Sequence, residues 1–230
     1  MLIVGDEPLV AEYGELVSAF GYEITSPESI KSLKSSAKKV SVALELSNLD
    51  LNAKRKNLET LDKALPESTL ILTSSVNISV LEQSQWIRRK HRLVGTAALP
   101  TLTRNSVVEV SPTVFTSESA IDVARKFFIS LKKEIAIVQD RVGMVLPRIL
   151  CQIINEAMFA VQQDVALPKD IDIAMRLGMN YPSGPIEWGE RIGFKQVTAV
   201  LAALHADLGE ERYRICPLLK EIAATGKFWG

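Results

Sequence analysis

Apolar and polar positions change rhythm once along this chain. Up to Gln139, short aliphatic and β-branched runs at Leu2–Gly5, Tyr22–Ser26, Val40–Leu46, Thr69–Thr73, Leu93–Ala98, Val107–Ser111 and Ile135–Val138 predict strands. Helical patterns over Pro8–Phe20, Asn52–Leu65 and Glu118–Leu131 fall between them. In the last of these Ile121, Ala124, Phe128 and Leu131 recur at helical spacing. This alternation predicts a sheet with crossover helices. Beyond Gln139 the strand signal stops. Val145–Gln163, Lys169–Leu177, Pro185–Ile192, Gln196–Leu208 and Leu218–Ala224 predict helices, with Gly178, Gly193, Gly209 and Gly226 as stops. Their apolar faces include Ile149, Ile153, Met158, Val197, Val200 and Leu204. The expectation is two domains, an α/β domain over 1–139 and an all-α domain over 140–230, joined at Asp140-Arg141.

Composition narrows the functions more than the fold. The chain has 230 residues, 47% hydrophobic and 23% charged, enough to bury a core in each domain. Lys plus Arg equal Asp plus Glu at 27 each, so no net field favours nucleic acid or an anionic membrane. The run Arg88-Arg89-Lys90-His91-Arg92 reads as a solvated loop. No apolar run approaches the ~20 residues of a bilayer span, and Met1-Leu2-Ile3-Val4 lacks the charged flank of a signal peptide. Cys151 and Cys216 lack metal-ligand spacing; no metal is expected, and buried thiols in a reducing cytoplasm are.

Three motifs of the second half are particular. Asp140-Arg141-Val142-Gly143 leads into a helix that carries Asn155-Glu156-Ala157, and a Pro-x-Gly-Pro turn follows in Asn180-Tyr181-Pro182-Ser183-Gly184-Pro185-Ile186-Glu187-Trp188. Together they closely resemble the C-terminal helical domain of the 3-hydroxyacyl-CoA dehydrogenases. The resemblance implies an abbreviated Rossmann-like domain followed by an all-α domain that pairs two copies as a homodimer. It implies NAD as cofactor and an acyl-CoA thioester as ligand.

The same resemblance assigns positions to the cofactor. The first strand and helix meet at Val4-Gly5-Asp6-Glu7-Pro8-Leu9-Val10, where a dinucleotide fingerprint places three glycines. Gly5 is the first; Glu7 and Val10 occupy the other two places. Two uses of this turn are open. A distorted turn can still present helix amides to an anion, or Asp6 caps the helix while Glu7 and Pro8 start it. A Glu7 charge ~4 Å from a diphosphate would repel it by on the order of 4 kcal/mol, roughly three powers of ten in affinity. Glu28 lies where the ribose-binding acid belongs, directly after Pro27. Ser74 falls among the cofactor-side positions, and Ser75 and Asn77 among those facing substrate. Lys31, Lys34, Lys38 and Lys39 are compatible with an acyl-CoA phosphate or with a solvated connecting helix.

Oxidising a hydroxyl by hydride transfer needs a base for its proton. The resemblance supplies a His held by a Glu, with an Asn and a Ser. Counting back from Val107-Val108-Glu109-Val110 through Gly95-Thr96-Ala97-Ala98-Leu99-Pro100 puts Ala97 at the His position. The Glu is Glu109, which is either a retained catalytic group or a strand carboxylate bonded to backbone amides. The Asn position in Gly143-Met144-Val145-Leu146-Pro147-Arg148 is Pro147, and the Ser position is Val76. His91, six residues before Ala97, lies roughly 20 Å away along an extended strand. His205 is expected half-buried on a helix. Two functions follow: an active or weakly active 3-hydroxyacyl-CoA dehydrogenase whose base is Glu109, water or another group, or a non-catalytic relative that binds a ligand or a partner.

Overall fold

The computed structural model describes residues 1–24 and 40–227. The chain divides into two compact units, Met1–Met144 and Val145–Gly230.

In the first unit six strands form one sheet in sequence order: β1 (Leu2–Gly5), β2 (Val42–Leu46), β3 (Leu70–Ser74), β4 (Leu93–Thr96), β5 (Val107–Ser111) and β6 (Glu134–Ile137). All neighbours pair in parallel except β4 and β5. Each of β2, β3 and β4 is buried on both faces, as a sheet covered on both sides requires. Ile3, Leu44, Leu72 and Val94 face a core shared with Leu9, Tyr13 and Val17 of α1 (Glu7–Ala19) and Phe127 and Phe128 of α4 (Glu118–Ser130). Leu2, Ala43, Ile71 and Leu93 face the other way, against Leu58 and Leu61 of α2 (Leu51–Ala64). The buried positions of α1 recur every four residues, the stripe that one helix face can bury.

One expected strand is not formed where it can be followed. Tyr22–Ile24 are not in a strand, although the Glu23 carbonyl accepts the Met1 ammonium at 2.8 Å and Tyr22 packs edge-on against Phe127. The remainder of that expectation, with Glu28 and the four lysines that follow it, lies outside the described residues. The apolar pattern also gave no sign of α3 (Val80–Ser84), whose five residues are too few to show a period. Its N-terminal end is held by caps instead. The Ser79 hydroxyl accepts the Glu82 amide at 3.2 Å, and the Asp140 carboxylate accepts the Val80 and Leu81 amides at 2.8 and 2.7 Å.

The second unit is helical: α5 (Leu146–Gln162), α6 (Pro168–Met179), α7 (Pro185–Ile192), α8 (Phe194–Leu208) and α9 (Pro217–Thr225). Leu150, Cys151, Ile154 and Met158 of α5 pack with Val197, Val200, Leu201 and Leu204 of α8 and Leu219 of α9. The distinctive motifs have structural causes here. The Asp172 carboxylate caps α7 by accepting the Ile186 and Glu187 amides at 2.8 and 3.1 Å. A Cβ on Gly184 would stand 2.1 Å from the Asp172 side chain, so the Pro-x-Gly-Pro turn needs its glycine to let that cap approach. Asn155 clamps α5 to the chain before α9, donating to the Arg214 carbonyl and accepting the Cys216 amide, both at 2.9 Å. Both cysteines are buried and unpaired, and burial pushes the Cys151 thiol up.

Three expectations are corrected. Ile149 is 53% exposed; the buried stripe of α5 runs one residue later, through Leu150. Helix α6 continues through Gly178 and stops at Asn180, which takes the left-handed conformation in place of the glycine. His205 is exposed, its Nδ1 3.2 Å from the Glu210 carbonyl. None of α6 is buried, and Leu177 on it is 82% exposed. Among the described residues no helix is long and apolar enough to cross a membrane.

Candidate functional site

In open parallel sheets ligands bind beyond the carboxyl ends of the strands. Ser74, Ser75, Val76, Asn77 and Ala97 all lie beyond or at those ends, after β3 and β4, with Gly5 closing β1.

A buried polar network fixes this edge. Alternation along β2 turns Glu45 to the same side as Ala43, toward α2, and there Lys54 meets it; the two side chains are 0% and 1% exposed. Glu45 also accepts the Ser47 amide at 3.1 Å and Asn57 Nδ2 at 3.3 Å. Lys54 Nζ donates to Thr73 Oγ1 at 3.3 Å, and Thr73 donates to Gln83 Oε1 at 2.6 Å. Gln83 Nε2 then donates to the Ser74 and Ile78 carbonyls at 3.1 and 3.0 Å. The loop holding Ser74 to Asn77 is thus tied to two helices and two strands. None of this was foreseen, although a charged residue within Val42-Ala43-Leu44-Glu45-Leu46 with Lys54 nine residues later was there to be read.

Asn48, which sequence reasoning missed, bonds Asn77 and shares the Ala98 carbonyl with Ser74. Asn48 Nδ2 donates to the Ala98 carbonyl at 2.8 Å, and Asn77 Nδ2 donates to the Asn48 carbonyl at 2.6 Å. Ser74 Oγ donates to the same Ala98 carbonyl at 3.3 Å, while Ser75 Oγ turns to the Ile78 carbonyl at 3.2 Å. The amide oxygens of Asn48 and Asn77 are buried without a partner among the described residues.

The β1–α1 turn works differently from either expected use. Asp6 precedes α1, yet its side chain makes no cap bond. Its carboxylate is drawn across to the loop between β2 and α2, where it accepts the Asn48 and Leu49 amides at 2.9 and 3.2 Å. At the helix start Pro8 has no amide hydrogen, and the Leu9 and Val10 amides are bonded to the Asp6 carbonyl at 3.0 Å. That leaves the Glu7 amide, beside the Asp6 carboxylate and its own, as a poor seat for a diphosphate. Gly5 is kept for another reason. At φ +141° a Cβ there would lie 2.4 Å from the Leu46 carbonyl carbon, so glycine is what allows β1 to approach β2. The turn does not fit a dinucleotide diphosphate.

Ala97 is buried, and its amide donates to the Glu109 carbonyl at 3.4 Å. Glu109 is half-buried in the middle of β5, beside Ala136 in register. The loop leaving Ala97 is held in place by Glu12 of α1, whose two carboxylate oxygens accept the Thr101 amide at 2.9 and 2.8 Å. Thr101 sits at φ 74°, a left-handed conformation a β-branched residue resists. Val76 is fully buried and uses its carbonyl to accept the Gly143 amide at 3.0 Å. Pro147 lies buried at the first turn of α5, in the other unit.

The basic run before β4 is not the solvated loop expected. Arg92 is buried, its Nη2 2.9 Å from Asp62 Oδ1, and Arg89 is bonded to the Asp62 carbonyl. A guanidinium can enter the interior because a carboxylate and carbonyls await it.

A doubly covered parallel sheet followed by a helical unit is the architecture of nucleotide-dependent dehydrogenases, and the comparisons are specific. The NAD binding domain of 3-hydroxyacyl-CoA dehydrogenase matches residues 22–141, beyond the β1–α1 turn, and the C-terminal domain of the same family matches 143–229. A Bacillus subtilis protein named as a probable 3-hydroxybutyryl-CoA dehydrogenase is 30% identical over 220 residues, covering 94% of this chain and 75% of that relative. The solved (S)-3-hydroxybutyryl-CoA dehydrogenase of Ralstonia eutropha is 25% identical with a TM-score of 0.75, over 94% of this chain and 79% of the other. FadB2 of M. tuberculosis, 18% identical, shares the fold with a TM-score of 0.84 over 98% and 93% of the two chains. This chain belongs to the 3-hydroxyacyl-CoA dehydrogenase family. NAD is the cofactor that this domain family brings; the first turn of this member departs from it.

Proposed function

We propose that this chain keeps the dehydrogenase fold but transfers hydride weakly or not at all. The observation that carries this reading is Ala97, a buried methyl group at the position the family resemblance gives to the base. A methyl group cannot take a proton. The carboxylates of Asp6 and Glu7 at the turn, Pro147 at the Asn position and Val76 at the Ser position point the same way. If activity persists, Glu109 is the catalytic group to mutate first.

In this proposal the cytoplasmic chain binds a small molecule or a partner. The amide oxygens of Asn48 and Asn77, without a partner among the described residues, would accept from N–H groups of a ligand beside Ser74 and Ser75, such as the amides of an acyl-CoA thioester, the family's substrate class. The exposed α6, with Leu167, Leu177 and Met179, favours pairing with a second copy. Calorimetric titration with NADH, NAD and acetoacetyl-CoA, alone and together, tests the reading alongside NADH-dependent reduction of acetoacetyl-CoA. Absent nicotinamide binding and absent turnover are expected. Micromolar NADH binding with turnover that Glu109→Gln abolishes would restore the enzyme.

A further inference from the structure

A cleft lies at the opposite edge of the sheet, where the parallel strands begin. It is formed by the last turns of α2 and the segment between α3 and β4, encloses about 620 Å³, and is lined by Glu59, Asp62, Lys63, Trp86, Arg88 and Arg89. Volumes of roughly 300–1,000 Å³ are typical of small-molecule sites. From Leu51 at the far end of α2 to Lys63 the helix rises about 18 Å, so the cleft is separate from the Asn48 edge.

Its buried acid is spent, Glu59 shares an exposed pair with Arg55, and most of its cationic donors are unspent. The Asp62 carboxylate accepts the Arg88 amide at 3.0 Å and Arg92 Nη2 at 2.9 Å, and Glu59 Oε1 accepts Arg55 Nε at 3.0 Å. Neither Arg92 nor Arg55 lines the cleft. By contrast the Lys63 ammonium and the Arg88 guanidinium have no hydrogen bond or ion pair among the described residues. Arg89 uses one amino group on the Asp62 carbonyl and keeps the rest of its fork. Trp86 is half-buried, packed on the core beside α2 and still lining the cleft. An indole edge or face beside three cations, two of them planar guanidinium forks, suits a flat ring that carries phosphate.

We propose that this cleft binds a nucleoside phosphate, with Trp86 against the base and Lys63, Arg88 and Arg89 on the phosphate. The chemistry is shared by free nucleotides and by the nucleotide handle of coenzyme A, so both serve as probes. The full chain is titrated calorimetrically with ADP and with coenzyme A without any dinucleotide present, and the K63E/R88E variant separates the cleft from the other edge. Saturable binding of either probe is expected, with Kd raised at least tenfold in the K63E/R88E double variant at an unchanged melting temperature. ADP binding alone assigns the cleft to free nucleotides, and coenzyme A binding alone to a thioester handle. Trp86→Phe should keep the calorimetric heat and lose the ligand-dependent quench of tryptophan emission. Absence of binding by both probes, or binding that K63E/R88E leaves unchanged, overturns the proposal. So does a quench that survives in Trp86→Phe.

Discussion

The two edges of the one sheet use polar groups in opposite ways. Where β1 to β4 end, Glu45, Lys54, Thr73, Gln83, Asp6 and Asn48 are bonded mainly to one another and to loop amides. Where the strands begin, Asp62 and Arg92 form the buried pair, and Lys63 and Arg88 are left outward without partners among the described residues. The edge that the family resemblance points to has most of its polar groups in internal bonds, with one amide oxygen each of Asn48 and Asn77 left over among the described residues, and the opposite edge carries unspent charge. Family membership fixes which edge to inspect first, and the local bonding decides what that edge can still hold.

The strongest way to break the comparison is Lys54→Met, which leaves the Glu45 carboxylate buried and unpaired. Loss of about 3–5 kcal/mol in urea unfolding is expected, with much of it regained in Glu45→Leu/Lys54→Met. A cost below about 1 kcal/mol would mean the network does not hold this edge. Gly5→Ala comes next. The added methyl meets the Leu46 backbone and φ is +141°, so a loss of about 3 kcal/mol is expected from denaturant midpoints.

Acid titration sharpens the other edge. Burial alone would raise the Asp62 carboxyl, but its bond to Arg92, the amides of Arg88 and Arg89 and the Arg92 charge hold it below its ordinary value. A depressed folded value contributes stability that is present above the unfolded value near ~3.9 and lost as pH falls through the lower folded one. The unmodified chain should therefore lose stability steeply below about pH 4, and Asp62→Asn should start less stable and fall less. Asp6→Asn should cost about 1 kcal/mol, since one amide oxygen can still accept, while raising any NADH affinity by removing a charge. The smallest effect is K63E/R88E, within about 0.5 kcal/mol of the parent in unfolding free energy.

Much of the fold was legible because its periods are long. Helices α1, α2 and α4 to α9 fall within two residues of the ranges that apolar spacing predicts. What escaped was set by single bonds between residues distant in sequence. Helix α3 depends on Asp140, some 60 positions away, and no window along the chain contains both. Asp6 stands where a helix cap stands, but two amides of the β2–α2 loop outbid the helix for its carboxylate. Arg92 was read with its basic neighbours as solvated because nothing nearby in sequence offers it Asp62. For the candidate site, Ser74, Ser75, Asn77 and Ala97 were located by register, while Asn48, which joins them, has no signature beyond being an asparagine in a loop.

The contact between Gly5 and the backbone of Leu46 and Ser47 bears on how such a fingerprint decays. A glycine that only makes room for a ligand is released from constraint as soon as the ligand is gone. One that makes room for a neighbouring strand is still constrained by folding. The first glycine should then outlast the other two in any lineage that abandons the cofactor, and its survival alone is no sign of cofactor use. An attempt to rebuild dinucleotide binding here would leave Gly5 alone and begin with Asp6, Glu7 and Val10.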